Sequence, residues 1–145
     1  MLVLDTSALV FLYINSREIG QANESEQVQD AVEAAPGVVL SVLCLPEVAS
    51  AFSRLRLKGK ITASESQEAF SLFLEDWPRA ERVELTERLA LEASALARNR
   101  NLHGTDAVHL ASAARLSREN KGGCFLSFDE RLNVAARGLV KLWGE

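Results

Sequence analysis

Short apolar runs alternate with longer stretches of helical periodicity along the chain. It opens MLVLDTSALVFLY, where LVLD at 2–5 is a continuous run of the kind that forms a strand buried on both faces. Ser7 to Tyr13 reads as the beginning of a helix. The polar stretch INSREIGQANESEQ predicts a loop, then a helix over Glu24–Ala35 that ends at the Pro36-Gly37 turn. VVLS at 38–41 is a second β-branched run, followed by a helix over 45–58 that stops near Lys58-Gly59-Lys60. Thr62 and Glu65 have capping-box spacing and open a helix over 63–76, halted by Trp77-Pro78. Arg82–Leu85 predicts a third strand, and a helix from Thr86 to Asn99 puts Leu89, Ala93, Leu96 and Ala97 on one face. Thr105 is the expected N-cap of a helix over 106–119, closed by Gly122-Gly123. CFLSF at 124–128 predicts a fourth strand, Asp129 caps DERLNVAARG, and LVKLW supplies a last short strand.

Strands that alternate with helices imply a mainly parallel sheet of four to five strands inside a three-layer α/β/α sandwich. No repeat, low-complexity tract or Pro/Ser-rich linker interrupts the 145 residues, so 1–145 is expected to be a single domain. A chain of this length buries roughly two thirds of its unfolded surface. Its 48% hydrophobic and 25% charged content is that of a globular protein rather than a disordered one. The N-terminus does not fit a signal peptide, because no Lys or Arg precedes the apolar run and Asp5 interrupts it. No stretch approaches the roughly 20 apolar residues of a membrane span. Cys44 and Cys124 lie in apolar surroundings without CxxC spacing and are read as reduced core residues, which suits a cytoplasmic location.

Charge adds candidate chemistry. In parallel α/β folds the ligand site lies outside the carboxyl ends of the strands, and four acids fall at such places. Asp5 ends LVLD, Glu47 lies in the first turn after VVLS, Asp106 follows Thr105, and Asp129 follows CFLSF. Singly, Asp106 and Asp129 are explained by a helix N-terminus, worth about 0.3–1 kcal/mol, and Glu47 by a solvated helix face. Asp5 is different, since an ionised carboxylate among apolar residues costs several kcal/mol unless it is compensated. Four acids at one sheet edge would repel one another. A hard divalent cation such as Mg²⁺ or Mn²⁺ resolves that repulsion, and such a site can activate water and stabilise in-line displacement at phosphorus.

Four blocks carry a resemblance: MLVLDTSALV, LPEVASAF, LHGTDAVHLASAARL and FLSFDERLNVAARGL. In order, spacing and placement they resemble the PIN domain, particularly the VapC-type toxins of prokaryotic toxin–antitoxin systems, over essentially the whole chain. The resemblance implies a metal-dependent endoribonuclease whose quartet, Asp5, Glu47, Asp106 and Asp129, binds Mg²⁺ or Mn²⁺ and cleaves RNA. It also implies that Thr6, Ser7 and Ser127 orient a carboxylate or a coordinated water, although backbone capping explains Thr6 and Ser7 equally well. His109, one turn beyond Asp106, is read as a neighbour of the site rather than a general base. Two partners follow from the resemblance, a second copy in a homodimer and a cognate antitoxin.

The chain holds 20 acids and 16 bases for a net charge of −4, so the excess is the size of the quartet. Contacts to RNA must then come from a local patch, for which Arg54, Arg56, Lys58 and Lys60 are candidates, with Arg115, Arg118 and Lys121 as a second group. A solvated helix face accounts for either group as well. Phe52, Leu55, Phe70, Phe73 and Leu74 exceed what one amphipathic face needs, which leaves core packing and a partner surface both open. Other functions compete. A haloacid-dehalogenase-like phosphatase also begins with Asp after an apolar strand but needs a second Asp where Ser7 stands. RNA processing outside a toxin system, or a non-catalytic scaffold that binds RNA or protein, would keep the same fold.

Overall fold

The computed structural model describes residues 1–119 and 122–145. Among them, five strands form one sheet in the order β3-β2-β1-β4-β5, with every neighbouring pair parallel. β1 (Leu2–Leu4) is central, between β2 (Val38–Ser41) and β4 (Cys124–Leu126), while β3 (Glu81–Val83) and β5 (Lys141–Leu142) form the edges. Val3 pairs with Val39 on one side and Phe125 on the other. Side chains alternate across a strand, so Leu2, Leu4, Leu40 and Leu126 enter one core and Val3, Val39 and Phe125 enter another. That explains the uninterrupted apolar runs, because each central strand supplies both cores.

The first core is completed by α1 (Thr6–Leu9), α2 (Glu24–Ala34), α3 (Cys44–Leu57) and α4 (Ala63–Asp76), through Leu9, Val28, Val48, Phe52 and Phe73. The second is covered by α6 (Gly104–Arg118) and α7 (Glu130–Ala136), through Leu110, Leu116 and Leu132. α5 (Glu87–Arg100) packs Leu89 and Ala93 against Ala107, Val108 and Ala111 of α6. Small residues along α6 let the sheet and α5 approach it from both sides, and every residue from Ala107 to Ala114 is buried. The sandwich is the one its sequence pattern predicts, and Thr62 and Glu65 close the expected capping box.

Several boundaries differ, and the differences bear on the site. β1 stops at Leu4; Asp5 is instead the N-cap of α1, its carboxylate accepting the Ala8 N–H at 3.1 Å. The expected Ser7–Tyr13 helix is the four-residue α1 tightening into a 3-10 turn over Val10–Leu12. β3 lies over Glu81–Val83 rather than 82–85. β4 ends at Leu126, so Ser127 and Phe128 leave the ladder two residues early. Thr105 is not the N-cap of α6; His103 holds that position without a side-chain bond, and the helix starts at Gly104. Phe52 and Phe73 are core, Leu55 and Phe70 are half-buried, and Leu74 is 45% exposed.

Candidate active site

From β1 the chain steps outward to β2 and β3, then returns through α6 to β4 on the other side of β1. Where the two directions part, a crevice opens beyond the carboxyl ends of the strands. Asp5, Thr6 and Ser7 reach it from the β1–α1 junction and Glu47 from the first turn of α3. Asp106 and His109 come from the first turns of α6, and Asp129 from the cap of α7. These residues, with Val10, Ala51 and Arg54, line one cavity of about 230 Å³. All four sequence-derived acids meet there.

Asp5 is the deepest, 3% exposed. Its Oδ1 accepts the Ser7 hydroxyl at 2.7 Å and the Ala8 N–H, and its Oδ2 accepts the Ser127 hydroxyl at 2.8 Å. Those hydroxyls are fixed from behind, since Ser7 Oγ accepts the Phe128 N–H and Ser127 Oγ the Asp129 N–H, each at 3.0 Å. With backbone donors on their lone pairs, both serines turn their protons toward Asp5. Ser127 and Phe128, past the end of β4, are drawn into this network instead of the ladder. Burial nonetheless pushes the Asp5 carboxyl above its ordinary range, outweighing the positive charge of His109 and the serine hydrogen bonds.

Glu47 is held through one oxygen. Oε1 accepts the Thr6 hydroxyl at 2.9 Å and sits 2.6 Å from Nε2 of His109, which is 2% exposed. Because Glu47 has only acceptors, Nε2 carries the proton in this contact, while the buried Nδ1 has no partner among the described residues. Burial works to raise the Glu47 carboxyl, but His109, Thr6 and Arg54 together hold it below its usual value. Nothing in the sequence relates His109 to Glu47, 62 positions away; its i, i+3 relation to Asp106 was the one available sign of shared placement. Thr6 thus orients a carboxylate rather than capping backbone.

Asp129 caps α7 with Oδ1, which accepts the Arg131 and Leu132 N–H groups at 2.9 and 3.3 Å. Asp106 makes no side-chain hydrogen bond among the described residues. Burial first, then the negative charge of Asp129, raises its carboxyl. The donor set is therefore oxygen only, and among the described residues one oxygen each of Glu47 and Asp129 and both of Asp106 accept no hydrogen bond. As they stand, no three His, Cys, Asp or Glu side chains among the described residues are arranged so that they could hold a metal ion. Mg²⁺ is commonly bound through only one or two carboxylates and keeps several waters for substrate phosphate. The oxygen donors present suit such a cation in kind and in charge.

Residues 2–138 match the PIN domain family. This chain belongs to it. The PIN domain is 34% identical to ribonuclease VapC45 of Mycobacterium tuberculosis over 136 residues, 94% of this chain and 89% of that one, which places it among the VapC proteins. Two solved structures share its fold. The VapC20 toxin of M. tuberculosis, described as cleaving the sarcin-ricin loop, superposes with a TM-score of 0.65 at 19% identity, covering 98% of each chain. A toxin–antitoxin complex from Klebsiella pneumoniae gives 0.58 at 17%, over 86% of this chain and 84% of that one.

In this PIN domain the basic candidates separate. Arg54 lines the acidic cavity, and Lys58, one turn on, lines a neighbouring one. Arg56 and Lys60 line neither. Arg115 pairs with Glu119 and Arg118 with Glu92, toward the far end of α6 from Asp106. Lys121 lies outside the described residues. Cys44 and Cys124 are free; burial of Cys44 beneath Thr6 raises its thiol to about 12, which leaves it unreactive. No helix among the described residues is long and apolar enough to cross a membrane.

Proposed function

We propose that this chain is a Mg²⁺- or Mn²⁺-dependent endoribonuclease that hydrolyses phosphodiester bonds of single-stranded or structured RNA, as the toxin of a type II toxin–antitoxin pair. The observation that carries this reading is the gathering of Asp5, Glu47, Asp106 and Asp129 in one cleft of a VapC-type PIN fold. The quartet would hold the cation, which when bound supplies charge neutralisation and water activation for displacement at phosphorus. Thr6 and His109 aim Glu47, and Ser7 and Ser127 aim Asp5. Arg54 stands at the cleft wall to meet a phosphate.

Residues 1–145 act as a single PIN domain in the cytoplasm, where free Cys44 and Cys124 stay reduced. The chain works as a homodimer and is restrained by a cognate antitoxin protein, the arrangement its VapC kinship suggests.

A mixed RNA pool tests the chemistry. Cleavage is expected with Mg²⁺ or Mn²⁺, and EDTA or Asp5→Asn is expected to abolish it. Cleavage that survives Asp5→Asn would remove the quartet as its source. A small adjacent gene for a DNA-binding antitoxin distinguishes a toxin from a housekeeping nuclease.

A further inference from the structure

Beside the acidic cleft lies a second cavity, of about 290 Å³. The two share Val10, Ala51 and Arg54, so they adjoin across a wall to which all three residues belong. Their chemistry differs sharply. The second is walled by Phe11, Ile14, Ile19 and Leu55, with Lys58 beside them, and no carboxylate lines it among the described residues. Arg54, in the last turn of α3, and Lys58, its C-cap residue in right-handed helical conformation, are exposed and four apart, and both line this cavity.

The groove is built rather than loose. Phe11 packs edge-on against Phe128, with ring centroids 5.7 Å apart and planes at 70°, which fixes it beside the residue that precedes Asp129. The 3-10 turn over Ser16–Ile19 is tied to α2 by reciprocal bonds, Ser16 N–H to Ser25 Oγ at 2.8 Å and Ser25 N–H to Ser16 Oγ at 3.1 Å. Ile19 is thereby held as a wall.

We propose that this groove seats the nucleoside adjoining the scissile phosphate, its base against Phe11 and Leu55 and its outer phosphate on Arg54 and Lys58. The proposal rests on the ribonuclease reading above. Bases pack on aromatic and apolar surfaces whatever their sequence, while cations follow the backbone. A paired base has no face to offer, so the groove selects an unpaired strand or loop. Adjacency to the cleft and the two flanking cations favour a polyanion that reaches both cavities over a protein segment that need enter only one.

Fluorescence anisotropy with labelled RNA octamers, in Ca²⁺ rather than Mg²⁺, tests it. The wild type is expected to bind a base-bearing single strand at least tenfold more tightly than an abasic strand of equal length. Leu55→Asn should shrink that ratio to threefold or less while holding the abasic strand as the wild type does. Lys58→Gln should weaken both strands alike and lower the salt slope by about one. Equal binding of the two strands by the wild type overturns the proposal without any variant having to fold. So does a Leu55→Asn protein that keeps its base preference but escapes inhibition by its antitoxin, which assigns the groove to the protein partner. RNA cleavage measured in parallel separates the two readings: cleavage lost in Asp5→Asn, together with equal strand binding, overturns the groove alone. No cleavage by the wild type overturns both.

Discussion

Two serine hydroxyls and one backbone N–H serve Asp5, yet its carboxyl is still held above its ordinary range by burial. A group in that position opposes folding when ionised. Asp5→Asn should therefore reduce RNA cleavage at least 100-fold while the thermal midpoint stays level or rises, as scanning calorimetry can check. Asp106 gives the cleaner pH signature. Its pKa is raised, so its favourable contribution is present below 3.8 and lost as pH rises through the folded value. Glu47 runs the other way, its contribution standing above 4.5 and lost as pH falls through its lowered value. Metal-free Asp106→Asn should accordingly be more stable than wild type at pH 7 in urea unfolding, with the advantage closing as pH falls toward 3.8. His109 acts through Glu47. His109→Leu should weaken Mn²⁺ binding roughly 10–100-fold by calorimetry, and His109→Gln, which can still donate a proton, should recover part of the loss. A purely structural histidine would move the melting temperature and leave Mn²⁺ affinity alone.

Among the elements, α4 offers a control, because its capping box lies away from the cleft. Thr62→Ala should cost about 1 kcal/mol in chemical unfolding and leave RNA cleavage unchanged. Most elements were legible in the sequence for a simple reason. Each strand is a short apolar run bounded by turn residues, and each long helix keeps its 3.6 period. The ends were less so. Ser127 and Phe128 look as strand-like as Cys124–Leu126, yet they leave the sheet because the Asp5 network engages them. Helical phase would have separated Arg54 from Arg56, since two residues along a helix turn to a different face, whereas Lys60 lies past the end of the helix. The pairing of Glu47 with His109 had no such sign. It joins α3 to α6 on different crossovers, and only the assembled sheet brings those helices together.

For the whole molecule the excess of four negative charges equals the quartet, so a cation that binds there should stabilise the entire fold. A Mg²⁺ or Mn²⁺ concentration of a hundred times Kd adds roughly 2.7 kcal/mol, or about 5–10 °C in Tm for a domain of this size. EDTA should reverse the shift, and Asp5→Asn should lack it. The position of β1 has a temporal consequence as well. Within this domain it emerges before every other strand, but one of its two sheet neighbours is β4, and Ser127 closes on Asp5 across 122 positions. A nascent chain that has reached α5 carries Asp5 and Glu47 but neither Asp106 nor Asp129. While this domain is being made, half a nuclease is all the ribosome exposes until α6 emerges, and the cutting edge is complete only once α7 has followed.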